Sequence, residues 1–162
     1  MIIEHSQLTP LHSQFFKVIC FLSLLNASYG IISGVLGAIA PPDIDQAYID
    51  GFMEQLDKFE LPMEGLREDV QTYYLNLMLE MGNVAAANFL FFGIEMIGVI
   101  LMFRLSRIGF VLYVASQIGL AFIPAVFGGF SDFGISVLVF TLIWNAIWVL
   151  MYWTQVRKFP KP

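Results

Sequence analysis

The chain is short of the residues that build most catalytic centres. Cys20 is its one cysteine and sits inside an apolar run, so an internal disulfide and a thiolate metal site are both excluded, and a small buried hydrophobe is the plain reading of that residue. The two histidines, His5 and His12, both precede the first long apolar run, which leaves none inside the apolar segments for haem, zinc or a nucleophile and base pair. Lysine and arginine total eight against thirteen acidic residues, a formal net charge of -5, and they are scattered, so the clustered positive charge that grips nucleic-acid phosphates is missing. No phosphate-binding glycine loop, CxxC or HExxH occurs. A non-enzymatic protein without a cofactor or metal is expected.

What is abundant is apolar. Of 162 residues 58% are hydrophobic and only 13% charged, too few polar groups for a water-soluble domain of this size. Four runs reach the roughly 20 residues that a helix rising about 1.5 Å per residue needs to cross hydrocarbon. The expected order is an N-terminal segment 1–14, transmembrane helix 1 over 15–40, an outer segment 41–83, helix 2 over 84–103, helix 3 over 108–127, helix 4 over 133–153 and a basic tail 154–162. Pro41-Pro42, the stretch from Arg104 to Arg107, and Gly128-Gly129 with Ser131 and Asp132 punctuate the runs, and the last two imply tight hairpins. The fold class is all-α: an integral membrane four-helix bundle with an extracytoplasmic amphipathic helical segment between the first and second spans.

Lysine and arginine are retained on the cytoplasmic side. Lys17, Arg104, Arg107, Arg157, Lys158 and Lys161 all fall on one side, whereas residues 41–83 hold ten acidic residues against Lys58 and Arg67 alone. Both termini are therefore expected in the cytoplasm and the acidic segment outside. Ala38-Ile39-Ala40 has the small-x-small form of a signal cleavage site, but the run exceeds the roughly 7 to 15 residues of a signal h-region, and Pro41 would follow the cut directly. The first span is expected to remain.

In the outer segment Ile44, Tyr48, Phe52, Leu56 and Phe59, with Ile49 and Met53, recur at helical steps opposite an acidic arc, which marks an amphipathic helix. A second stripe, Leu66, Val70, Tyr73, Tyr74, Leu77 and Met81, leads almost without a breaker into the second span. Helices that rest on lipid carry basic polar faces, so packing within the chain, or a partner surface at the first stripe, fits these acidic ones better. Met53, Met63, Met78 and Met81 have no nearby His or Cys and read as packing residues rather than copper ligands.

Each span carries one polar residue near mid-depth: Asn26, Glu95, Gln117 and Asn145 lie roughly 12 to 16 Å from the cytoplasmic ends of their helices. Ser28 and Tyr29 place hydroxyls near the same level. Unpaired polar groups are costly in hydrocarbon, so these side chains are expected to face a shared axis and bond to one another. Glu95 requires a proton, a bound cation or a basic group from another subunit, because no basic residue lies at its depth in any span. The alternatives for it are interhelical glue, a proton or ion relay, and an intersubunit contact.

Gly30, Gly34 and Gly37 form a GxxxG-type stripe that lets backbones approach closely, within the chain or against another copy. Pro124 is expected to bend the third span. Trp153 with Tyr152 suits an interfacial anchor, and Trp144 and Trp148 read as core or lipid contacts rather than a cofactor cage.

The stretch Arg104-Leu105-Ser106-Arg107-Ile108-Gly109-Phe110-Val111-Leu112-Tyr113, with Gln117 after it, resembles the central segment of small uncharacterised four-helix membrane proteins of bacteria. The resemblance covers mainly the second and third spans and brings no activity with it. It implies a bacterial inner membrane with residues 41–83 in the periplasm. The leading expectation is an accessory or assembly subunit of a larger inner-membrane complex, with lipid and other membrane subunits or its own copies as partners. The alternative is a small transporter or proton-coupled component that uses Glu95 and the polar layer.

Overall fold

The computed structural model describes residues 13–39 and 64–159, together with 47, 51, 54, 55 and 58. Among the described residues there is no strand. Five helices are seen from end to end: α1 Gln14–Ile39, α2 Glu64–Leu79, α3 Met81–Phe103, α4 Arg107–Gly128 and α5 Asp132–Val156. Ala47, Gly51, Glu54 and Gln55 are also helical. The expected partner-surface residues Ile44, Tyr48, Phe52, Leu56 and Phe59 lie outside the described residues. α1, α3, α4 and α5 are long and apolar enough to cross a bilayer, consistent with a multi-pass membrane protein.

Helical hydrogen bonding outruns the apolar runs. α3 begins at Met81 and α5 continues to Val156, because polar flanking residues keep the helical ladder although they carry no hydropathy signal. Only Glu80 separates α2 from α3, and the bonds from Glu80 N to Asn76 O and from Val84 N to Glu80 O bridge the interruption. Both hairpins are tight for local reasons. After α3, Leu105 adopts φ 59°, with Ser106 N bonded to Leu101 O and Leu105 N to Met102 O, a Schellman ending with leucine where glycine is usual. Between α4 and α5, Gly129 takes φ 104° and ψ 158°, a region open essentially to glycine alone. Ser131 Oγ then caps α5 by accepting from Gly134 N at 3.2 Å, one of the donors a helix start leaves unpaired.

Small residues decide which helices pair. A Cβ on Gly30 would strike the Phe92 ring, and one on Gly34 would sit 2.9 Å from the Ala85 carbonyl oxygen and 3.0 Å from Phe89 N. Gly37 faces the Ala85 Cβ at 3.0 Å in the same way, so the GxxxG stripe packs within the chain, against α3. Gly98 on α3 and Gly109 on α4 meet backbone to backbone: a Cβ on Gly98 would lie 2.8 Å from Gly109 O, and one on Gly109 would lie 2.7 Å from Met102 N. The well-packed pairs are therefore α1 with α3, α3 with α4, and α4 with α5, whereas α1 and α5 meet sparsely.

Where α1 and α5 do meet, they share the main core at the end of the bundle that holds Lys17, Arg104, Arg107 and Arg157. Phe16, Ile19, Cys20, Val99, Met102, Tyr113, Tyr152, Val156 and Phe159 form one buried cluster there. Phe16 sits at its centre, with ring centroids 5.8 Å from Phe159, 6.0 Å from Phe103 and 6.4 Å from Tyr152. After α5, Phe159 folds back into the core, and its carbonyl accepts a bond from the Arg107 guanidinium at 3.1 Å. At the opposite end α2 lies over the α4–α5 hairpin: Tyr73 stacks edge-on with Phe133 at 5.2 Å, and Asn76 Nδ2 donates to Gly128 O at 3.2 Å. Burial, with a smaller contribution from neighbouring Tyr74, pushes the Tyr73 phenol above its ordinary range.

Candidate functional site

Helical spacing puts polar residues on the inner face of each long helix. On α1, Ser23 and Asn26 are three apart; on α3, Glu95 precedes buried Gly98, Val99 and Met102 by three, four and seven residues. On α4, Tyr113, Ser116 and Gln117 share one face, and on α5 Asn145, Trp148 and Tyr152 do the same. All four residues expected to form a polar layer line a single cavity of about 320 Å³, together with Leu22, Ser23, Tyr113, Trp144 and Trp148.

They do not play equal parts. Glu95 is 1% exposed and Gln117 6%, so these two form the floor. Asn145 is half-buried and donates from Nδ2 to the backbone carbonyl of Gln117 at 2.8 Å, tying α5 to α4. That bond goes to the main chain of Gln117 rather than to its side chain. Asn26 is exposed and stands at the rim on the α1 side. Tyr29, expected near the same level, is 73% exposed and turned away from the cavity, because it lies three residues from Asn26 but on the outer side of the Ala27 and Gly30 stripe that faces α3. Ser28 is half-buried and does not line the cavity. Gly30, Gly34 and Gly37 take no part in the site, although they hold α1 against the helix that carries Glu95.

The carboxyl group of Glu95 is faced by the side chains of Asn26 and Gln117. Its Oε2 is buried and has no hydrogen-bond partner among the described residues. An acceptor left in that condition costs about 1–3 kcal/mol, and more if it is charged. No group of three or more His, Cys, Asp and Glu side chains comes together among the described residues. Glu95 is thus a lone carboxyl group beside a guest-sized space.

Beneath the floor runs a second set of polar groups that hydropathy alone does not single out. The Ser23 hydroxyl lies between the phenols of Tyr113 and Tyr152. The two tyrosine rings are 4.5 Å apart between centroids, and the Tyr152 hydroxyl donates to Ile19 O at 3.1 Å. Tyr113 lines the cavity together with Glu95, and from it hydroxyl groups continue toward the basic end of the bundle. Sequence reasoning missed Ser23, Tyr113 and Tyr152 as parts of the site. The signal was available: Ser23 is three residues from Asn26, Tyr113 four from Gln117, and Tyr152 seven from Asn145, each on the same helical face as the residue that was singled out.

The cavity has an open side. Its α1 wall (Leu22, Ser23, Asn26) and its α5 wall (Trp144, Asn145, Trp148) belong to the two helices that meet sparsely, so the opening lies between them, with Glu95 opposite on α3. Leu22 and Trp144, 44% and 55% exposed, stand at the mouth. The arrangement is a side-facing cleft with an apolar and aromatic entrance and a carboxyl floor. No protein-family model, no curated protein and no solved structure matches this chain, so its function is read from the geometry of this cleft.

Proposed function

We propose that this chain is a small proton-coupled transport component of a bacterial inner membrane, working through the cleft around Glu95, with both ends cytoplasmic and residues 41–83 periplasmic. One observation carries the reading: Glu95 Oε2 is buried without a partner beside about 320 Å³ of space. Asn26 and Gln117 meet the carboxyl group from neighbouring helices, yet its Oε2 is left without a partner, and hydrocarbon supplies no substitute. The hydroxyl groups of Tyr113, Ser23 and Tyr152 lie below the carboxyl group on the side of the basic end. The test is reconstitution into vesicles enclosing a pH-sensitive dye. Wild-type protein should move protons under an imposed gradient, and Glu95→Gln, assembled equally well, should not. Equal proton movement by the two would overturn the reading.

A second reading, an accessory subunit of a larger complex, is favoured by α5. Only Gly134, Tyr152, Gln155 and Val156 of its residues are buried, and Val139, Phe140, Ile143, Ile147 and Leu150 form an exposed apolar flank beside the cleft. A neighbouring subunit's helix would find room there. Mild-detergent purification at native expression should then recover partner proteins in fixed ratio, and recovery of the lone chain or a homo-oligomer would count against this reading.

A further inference from the structure

The cleft combines features that select among guests. Glu95 is the one charged residue lining it, beside the amides of Asn26, Gln117 and Asn145. Tyr113, Trp144 and Trp148 also line it, and aromatic rings attract positive charge. Its mouth, at Leu22 and Trp144, opens sideways between α1 and α5, where a bilayer presents acyl chains. An anion would meet the carboxyl group with no Lys, Arg or His lining the cavity to offset it. A calcium or magnesium ion would need about six or more oxygen ligands, and one carboxyl group with a few amides falls short.

We propose that the cleft binds a lipophilic organic cation, a substituted ammonium with an apolar body, which enters sideways from the membrane between α1 and α5 and places its charge against Glu95 and the rings of Tyr113, Trp144 and Trp148. The proposal rests on the transport reading above and names the class of substrate for it. Glu95 and the aromatic rings fix the charged head, while Leu22 and the outer edge of Trp144 cover the apolar body. The volume is near the lower end of the roughly 300–1,000 Å³ of small-molecule pockets, which limits the guest to a compact head and one ring or short chain.

The test uses the full chain in lipid nanodiscs and calorimetric titration with benzyltrimethylammonium, after subtraction of empty nanodiscs. Wild-type protein should bind the cation saturably, one per chain. Glu95→Gln should weaken binding roughly tenfold or more, as expected when a charge-assisted contact is lost. Trp148→Leu should weaken it several-fold, and Phe140→Ala, on the outer flank of α5, should leave it unchanged. The neutral isostere neopentylbenzene should not displace the cation at tenfold excess. Circular dichroism verifies that each variant retains its helices. Should Glu95→Gln fail to fold, Trp148→Leu and the neutral isostere still decide the matter. Absence of saturable binding, effective displacement by neopentylbenzene, or unchanged affinity in a folded Glu95→Gln or Trp148→Leu variant overturns the proposal. Cation binding without proton movement in vesicles would keep the site and discard proton coupling, whereas proton movement without cation binding would do the reverse.

Discussion

An alanine at Gly98 tests whether α3 and α4 are held together as tightly as the structure shows. The added Cβ would lie 2.8 Å from the Gly109 carbonyl oxygen and 2.9 Å from Tyr113 N, both main-chain atoms, against an ordinary contact of at least 3.4 Å. The two backbones would have to part by about 0.6 Å, because neither atom can rotate away. Overpacking of this kind costs about 1–3 kcal/mol, and the better helix propensity of alanine returns about 1 kcal/mol. Gly93, on the same helix, is the matched control: a Cβ there meets nothing within 4 Å. Gly93→Ala should therefore stabilise by about 0.5–1 kcal/mol and Gly98→Ala destabilise by up to about 2 kcal/mol. The assay is equilibrium unfolding in mixed micelles with increasing sodium dodecyl sulfate, followed by circular dichroism. Since Tyr113 lines the cleft, Gly98→Ala should also lower cation affinity, and Gly93→Ala should not. If Gly98→Ala proved as stable as Gly93→Ala, the close approach of α3 and α4 would be refuted.

Three further outcomes follow from other parts of the fold. Gly129→Ala should destabilise by about 1–3 kcal/mol in the same titration, through backbone strain at φ 104° rather than a clash, because its nearest neighbour would be Asn76 Nδ2 at 3.7 Å. Phe159→Ala should cost about 3 kcal/mol by emptying the space beside Phe16, whereas the nearby exposed Lys158→Ala should be almost neutral. The raised Tyr73 phenol keeps its proton in the folded protein at alkaline pH, where the unfolded chain gives it up. Its contribution to stability is thus complete below the ordinary tyrosine range and falls as pH rises through it, and Tyr73→Phe should flatten that part of the stability profile.

The four long helices were legible because hydrocarbon thickness imposes a length that hydropathy reports directly, and the Arg104–Arg107 and Gly128–Asp132 turns because charge and glycine interrupt it. The polar layer was legible in composition, one residue per helix, and depth along each helix was enough to group Asn26, Glu95, Gln117 and Asn145 around one cavity. Which helices pair was not, since that depends on the fit of Gly30 against Phe92 and of Gly98 against Gly109, and spacing along one helix does not name its partner. For the same reason the open side between α1 and α5 could not be foreseen. Leu105 at φ 59° escaped notice because leucine is not the residue that such a backbone invites, and Phe159 because charged neighbours make it look like part of a solvated tail.

The unclosed ring of helices bears on how the molecule is made. During synthesis α1, α3 and α4 emerge first, and their glycine-lined contacts can lock before the final helix has left the ribosome. Until α5 arrives, Glu95 faces an open trough with no aromatic wall opposite. The late helix then docks through Tyr152 on Ile19 and Asn145 on Gln117, and only at that moment does the cavity gain its fourth wall.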